Sequence, residues 1–345
     1  MKRIMYVSTV AKSLPEEEIS AISHSSSKNN RKIGVTGILL SAHEFFFQIL
    51  EGEEVVVDRL LERIRRDPRH RDLMILKAEM GVTERLFPNW SMRTIRLGEA
   101  NGMILKAVRI MLENITQSHR IIERYTQPSV LQFLTQGLNP LEIPVKKTRK
   151  IILFGDMVGF SIMSQKFPVE EVTAVVNAYL DVCCQRIVQH GGEVTKYIGD
   201  CVMAHFPPDY ADAAIEACLE ALDDVRRLRR VAGQCQPMNL LYCGFGLSEG
   251  EVIQGNIGSA IKMDYTVLGD TVNLAAQLEA LTRTIRRALA LSEPVQQSAK
   301  GSWPFANVGQ FALKRQGELS TVYSLHDPLV TEFKEIEELT REIRE

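Results

Sequence analysis

Ile151-Ile152-Leu153-Phe154-Gly155-Asp156-Met157-Val158-Gly159-Phe160-Ser161 sets a short apolar run against a glycine and an aspartate, then returns to apolar side chains through a second glycine. A short apolar run bounded by turn signals reads as a buried strand, here Ile151–Phe154, and the pattern from about Val169 to His190 reads as a helix. Asp156 therefore stands at the C-terminal end of a strand. Further along, Glu193–Ile198 and Cys201–Phe206 flank Gly199-Asp200, the two-residue connection of a tight hairpin. If that hairpin lies beside the first strand, Asp156 and Asp200 converge, and paired carboxylates suit hard Mg²⁺ ions that keep phosphates in their shell. The backbone amides of Phe160 and Ser161, near a helix start, would then face phosphate oxygens. Taken alone, an aspartate at a strand end or in a Gly-Asp turn is commonplace, and turn formation explains either one.

Outward from that stretch, a helix over 209–230, a strand over 239–247, a glycine-rich stretch over 250–258, a strand into Leu268, a helix over 270–282 and a closing strand over 321–325 follow. Strands alternating with helices but including a hairpin imply an α+β sheet rather than a doubly wound parallel one. Gly244-Phe245-Gly246 does not complete a dinucleotide fingerprint and reads as strand packing. Toward the N-terminus, strands over 3–8, 35–40, 45–50, 73–80 and 90–96 and helices over 15–28 and 55–66 form a second β/α unit that ends near Leu97. Between the two units, Val108, Met111, Ile115, Ser118, Ile122 and Tyr125 alternate three- and four-residue steps, a heptad seam that either packs back on its own domain or meets a second chain. Pro128 is expected to break that helix. A linker marked by Gly137, Pro140 and Pro144 ends in Lys146-Lys147-Thr148-Arg149-Lys150, read as solvated charge. The tail Glu332–Glu345 reads as an acidic amphipathic helix.

With 345 residues, two domains and a connector are expected. Lys and Arg total 41 against 43 for Asp and Glu, a net charge of −2, which argues against nucleic acid or an anionic membrane as a partner. No apolar run approaches the ~20 residues that span a bilayer, and the opening MKRIMYVS lacks a signal-peptide core, so a cytoplasmic protein is expected. The six cysteines contain no CxxC pair, and neither a zinc site nor a disulfide framework is anticipated.

Three segments in order, Phe154–Ser161, Gly191–Asp200 and Asp264-Tyr265-Thr266-Val267-Leu268-Gly269-Asp270-Thr271-Val272-Asn273, resemble the class III nucleotidyl cyclase domain over residues 148–326. The resemblance implies that Asp156 and Asp200 hold two Mg²⁺ or Mn²⁺ ions, that Lys196 and Thr266 face the purine, and that Lys314 and Asn273 bind phosphate and ribose. It also implies a homodimer, with the aspartates from one subunit and the purine-reading residues and Asn273 from the other. Lys196 favours ATP, since guanylate-specific relatives usually carry a carboxylate there. One position departs from the family: an arginine is usual four residues after the asparagine, and this chain has Gln277. A neutral amide does not replace a permanently cationic fork, so weakened cyclase activity is expected, with Arg283, Arg286 and Arg287 as candidates to compensate.

Residues 1–97 resemble the BLUF family of flavin-binding blue-light sensors through Val35–Leu40, Phe47–Gly52, Asp67-Pro68-Arg69-His70 and Trp90-Ser91-Met92. This implies a ferredoxin-like fold and an FAD held by Asn29, Asn30, Arg63, Asp67 and His70. Tyr6 and Gln48 would switch, with Trp90 and Met92 on the strand that feels the change. The expected order is thus a BLUF sensor (1–97), a helical connector and linker (98–147), a cyclase domain (148–326) and a C-terminal acidic helix (327–345). The expected function is a blue-light-regulated adenylate cyclase. The alternatives are a light-regulated guanylate cyclase and an impaired, light-responsive nucleotide-binding module.

Overall fold

The computed structural model describes residues 1–10, 16–42, 45–96, 110–111, 114–118, 121–122, 124–136, 138–233, 235–259, 261–313, 318–333 and 341. It divides into two compact units, Met1–Ile143 and Pro144–Glu345.

In the first unit β1 (Lys2–Val10), β2 (Thr36–Ala42), β3 (Phe45–Gly52), β4 (His70–Glu79) and β5 (Arg93–Arg96) form one sheet in the order β4-β1-β3-β2-β5. The first four strands with helices Glu16–Lys32 and Glu54–Arg65 make the ferredoxin-like β-α-β-β-α-β arrangement, and β5 adds parallel to β2. Alternation along β1 buries Ile4 and Tyr6 with Phe46, Leu50, Val57 and Leu60 in one core. Pro128 follows the expected break, since the helical residues before it stop at Tyr125 and Thr126 and Gln127 are not helical. It occupies the first turn of a helix, Pro128–Thr135, where its missing N–H costs nothing, and Leu131 and Leu134 line a cavity of about 350 Å³ with Leu73 and Ile75 of β4. Of the heptad seam, Met111, Ile115, Ile122 and Tyr125 are all exposed, so these four do not pack back on their own unit. Val108 lies outside the described residues.

The second unit is built on β6 (Lys146–Met157), β7 (Glu193–Ile198), β8 (Cys201–Phe206), β9 (Cys243–Gly258), β10 (Met263–Leu268), β11 (Leu289–Ser292), β12 (Phe305–Ala312) and β13 (Leu319–Leu325). The sheet order is β12-β13-β11-β9-β6-β8-β7, with β10 paired to the later half of β9. The basic run expected as linker is strand: Lys146 to Lys150 pair with Gln254 to Gly250, and Arg149 reaches Glu249 at 2.7 Å. The stretch 250–258 is likewise strand. Its glycines admit close neighbours, and a Cβ on Gly250 would lie 2.6 Å from Thr271 Oγ1.

Odd positions of β6 (Ile151, Leu153) pack under the helices Val169–Gln189 and Ala211–Val231, whose Tyr179, Cys183, Ala214 and Cys218 share that core. Even positions (Ile152, Phe154) face the helix Asp270–Ile285 through Val272 and Ala275. Asp156 continues the even face. Opposite it on β9, Gly244 and Gly246 lie directly under the helix. A Cβ on Gly246 would collide with the backbone of Ala275 and Glu279. Gly246→Ala is therefore expected to lower stability by about 1–3 kcal/mol through overpacking, read as a reduced urea midpoint.

Candidate functional site

β6 pairs with β8, so the strand carrying Asp156 lies beside the hairpin that carries Asp200, as the spacing requires for convergence. Gly199 takes a left-handed φ of 67°, which the turn needs and a side chain would resist. Burial pushes the Asp200 carboxyl up to about 6, and the negative charge of Asp156 adds to the rise. Two neighbouring carboxyl groups offer the oxygen donors that suit a hard cation, and the pair fits the divalent ions implied by the sequence. Phe160 and Ser161 open the helix Phe160–Lys166 just beyond Asp156.

The helix Asp270–Ile285 sends Glu279 and Arg283 to the same place. Arg283 Nη2 donates to Asp156 Oδ2 at 3.0 Å, and Nη1 donates to the Glu279 carboxylate and to the Glu279 carbonyl at 2.9 Å. Burial pushes the Glu279 carboxyl up to about 7, offset in part by Arg283. Asn273 and Gln277 lie on another face of that helix. At 3.6 residues per turn, Gln277 and Arg283 are roughly 120° apart around it. Asn273 and Gln277 line a cavity of about 890 Å³ with Ser248, Glu293 and Ser320, and neither Asp156 nor Asp200 belongs to its wall. Lys196 Nζ lies 3.5 Å from Asp264 Oδ2. Thr266, buried on β10, has a hydroxyl without a hydrogen-bond partner. Within one chain the aspartates are thus apart from Asn273 and Gln277. Lys314 lies outside the described residues, though its neighbour Leu313 lines the cavity.

The three arginines named as substitutes for the family arginine are engaged elsewhere. Arg283 is on Asp156, Arg287 donates to the Leu325 carbonyl at 2.9 Å, and Arg286 caps the helix with φ 52° and has a partner of its own. Glu279 escaped the sequence-based search, although its four-residue step to Arg283 on one helix is a readable ion-pair signal.

In the first unit Tyr6 on β1 and Gln48 on β3 are directly cross-strand. The Tyr6 hydroxyl donates to Gln48 Oε1, and Gln48 Nε2 donates to Met92 Sδ at 3.3 Å. Full burial, with the charge of Asp67 behind it, pushes the Tyr6 phenol far above its ordinary pKa and keeps it a neutral donor. Asn29, Asn30, Gln48, Arg63, Asp67 and His70 line a cavity of about 280 Å³. Asn30 is anchored to the Ser91 carbonyl at 3.0 Å. The buried Gln48 amide has only a thioether for its N–H₂ group, a weak acceptor, so the wall offers amides to a planar heterocycle and the cations Arg63 and Arg69 to a phosphate. These residues fit a flavin. Trp90 is outside this wall: its ring stacks on Phe87 at 5.2 Å and under Arg93. Two neighbours were missed. Arg69 lines the cavity and holds the Asp67 carboxyl down to about 2 through their hydrogen bonds. Ser8, on the same face of β1 as Tyr6, bonds His70 Nδ1 at 2.7 Å.

Comparison with known proteins agrees with both halves. Residues 1–93 match the BLUF family, described as sensors of blue light using FAD, and residues 144–327 match the adenylate and guanylate cyclase catalytic domain. The chain belongs to the adenylate and guanylate cyclase catalytic-domain family and carries a BLUF domain ahead of it. Among curated proteins it is 31% identical over 294 residues to the photoactivated adenylate cyclase subunit beta of Euglena gracilis, covering 85% of this chain and 34% of that one. It is also 31% identical over 298 residues to the subunit alpha of the same organism, covering 85% and 29%. The chain thus spans about a third of the length of these relatives. A solved structure of a bacterial light-regulated adenylyl cyclase is 42% identical, with a TM-score of 0.90 and coverage of 100% of this chain and 99% of that one. The adenylyl cyclase CyaB from P. aeruginosa is 26% identical at TM-score 0.50, covering 54% of this chain and 97% of that one. Among the described residues no helix is long and apolar enough to cross a membrane.

Burial lowers the His70 pKa to about 4. The unfolded chain therefore binds the extra proton first, and stability falls as pH drops from about 6.5 toward 4. In a flavin-free Trp303→Phe background, where Trp90 alone reports by fluorescence, the unfolding midpoint is expected to be lower at pH 5 than at pH 7. His70→Gln should flatten that dependence.

Proposed function

We propose that the chain is a blue-light-regulated adenylate cyclase that converts ATP to 3′,5′-cyclic AMP and pyrophosphate in a homodimer with two shared sites. The observation that carries this reading is the division of site residues within one chain. Asp156 and Asp200 meet at the end of β6, while Asn273 and Gln277 turn into a separate cavity. A second copy presenting its Asn273 face to the first copy's aspartates would complete the site.

In that arrangement the ribose 3′-oxygen attacks the α-phosphorus and the bond to the β-phosphate bridging oxygen breaks, releasing pyrophosphate. Two divalent ions held by Asp156 and Asp200 would supply Lewis-acid charge neutralisation when bound. Lys196 would donate to adenine N1, and the Thr266 hydroxyl, which has no partner among the described residues, would meet the exocyclic amine. Asn273 would position the ribose. Gln277 supplies one amide donor where the family carries a cation, and losing one preorganised donor costs on the order of 10²–10³ in rate. Gln277→Arg is expected to raise turnover at least about tenfold with little change in KM. A turnover no higher than the parent's would count against the assigned role.

A flavin held by Asn29, Asn30, Arg63, Asp67 and His70 would supply, under blue light, an oxidant able to accept an electron and a proton from a phenol. Tyr6 stands behind the cavity wall, bonded to Gln48, which lines it, and would be the phenol that gives them up; Gln48 connects it to Met92, so rearranging the Gln48 amide would change what the strand beyond sees. The exposed seam Met111, Ile115, Ile122 and Tyr125 is suited to carry that change to a second copy as an interchain contact. Purified flavin-loaded protein is expected to make cyclic AMP from ATP faster in blue light than in the dark, and to prefer ATP to GTP in a paired assay. Tyr6→Phe should bind flavin yet lose both the lit-state spectral shift and the light stimulation. Equal turnover in light and dark by the parent would refute the proposal.

A further inference from the structure

The acidic end of β6 already holds a cation, and it belongs to the protein. Three carboxyl groups, Asp156, Asp200 and Glu279, lie there, the two aspartates adding to the rise of the Glu279 carboxyl, and Arg283 is the guanidinium bonded to Asp156 and Glu279. Its Nη2 is spent on Asp156 Oδ2 at 3.0 Å. Its Nη1 is tied to the Glu279 carboxylate, the Glu279 carbonyl at 2.9 Å and Thr282 Oγ1 at 3.3 Å. The side chain is only 21% exposed, held by Glu279 and Thr282 of its own helix and by the Met157 carbonyl of β6, 3.4 Å from Nη2, so it is a fixed arm rather than a roaming surface charge.

We infer that Arg283 is the resident counter-ion of this cluster, and that a divalent ion must displace it from Asp156 before binding there. Arg283 thereby sets how much free metal the site accepts before nucleotide arrives. The inference rests on reading Asp156 and Asp200 as the metal ligands. A guanidinium and a divalent cation on one carboxylate repel each other, and the repulsion is stronger in a partly buried cluster than in water. Arginine stays protonated, so the charge of this counter-ion is permanent. The role is distinct from that of the missing family arginine, because Arg283 and Gln277 leave different faces of the helix. Arg283 is thus a positioning residue for Asp156.

The test measures Mn²⁺ binding to the full flavin-loaded chain, in the dark and without nucleotide, by the electron paramagnetic resonance of free Mn²⁺. Arg283→Gln is expected to tighten binding by about tenfold. In EDTA the same variant should melt below the parent, because Asp156 and Glu279 lose their cation, and Mn²⁺ should restore it. Arg283→Lys, with a shorter reach to Asp156, should tighten binding by a smaller factor, and it keeps the test open if the glutamine variant does not fold. A purely structural role predicts the opposite sign, since a disordered site binds metal more weakly. Unchanged or weaker Mn²⁺ binding in these variants overturns the inference. Asp156→Asn separates the two levels: if it loses the Mn²⁺ while the Arg283 variants bind no more tightly, the inference alone falls. If Asp156→Asn binds Mn²⁺ as the parent does, the metal assignment falls and takes the inference with it.

Discussion

The seating of the helix Asp270–Ile285 on bare backbone at Gly244 and Gly246 governs the chemistry of the second unit. With no Cβ at either position, the helix settles until the carbonyl of Ala275 and the amide of Glu279 occupy the space a side chain would fill. That depth brings Glu279 and Arg283 level with Asp156 and holds Thr282 over Gly244. The same rotation about the helix axis turns Asn273 and Gln277 toward the cavity bounded by Ser248 and Ser320. One helix therefore sends Glu279 and Arg283 to the aspartates and Asn273 and Gln277 to a separate cavity.

The first unit depends on a comparable economy of placement. β1 lies between β3 and β4, so ladders on both sides hold the backbone that carries Tyr6. Its phenol, the Gln48 amide and the Met92 sulfur form a line of three buried groups, each bonded to the next. Charge is kept at the cavity rim. Arg69 holds Asp67 ionised, whereas burial keeps Tyr6 and His70 neutral. A neutral interior beside a charged rim lets a small rearrangement of hydrogen bonds alter the local field without moving a full charge.

Much of this was legible from local pattern. Gly199-Asp200 between two alternating runs specifies a hairpin by turn chemistry alone, and Asp156 after four apolar residues specifies a strand end. The features that escaped depend on contacts distant in sequence. Lys146–Lys150 carries no apolar signal, and pairing with Gln254–Gly250 makes it strand. The glycines of 250–258 look like a loop by composition, yet at Gly250 the missing side chain makes room for Thr271. Pro128 marks the expected break, but that a new helix starts at it depends on packing of Leu131 and Leu134 against β4 and is not written in the local pattern. The ion pair of Glu279 with Arg283 was readable from spacing, but its target, 127 residues away on β6, was not.

The pairing of Tyr6 with Gln48 across adjacent strands also bears on endurance. Both residues sit in register between intact ladders, so the part free to move is a single amide pivoting about its own side-chain bonds. No backbone hydrogen bond has to open for that pivot, and nothing must refold for it to return. In the proposed role of trigger, such a pair would accumulate no fatigue from one cycle to the next, and its resetting time would be governed by the exchange of a few buried hydrogen bonds.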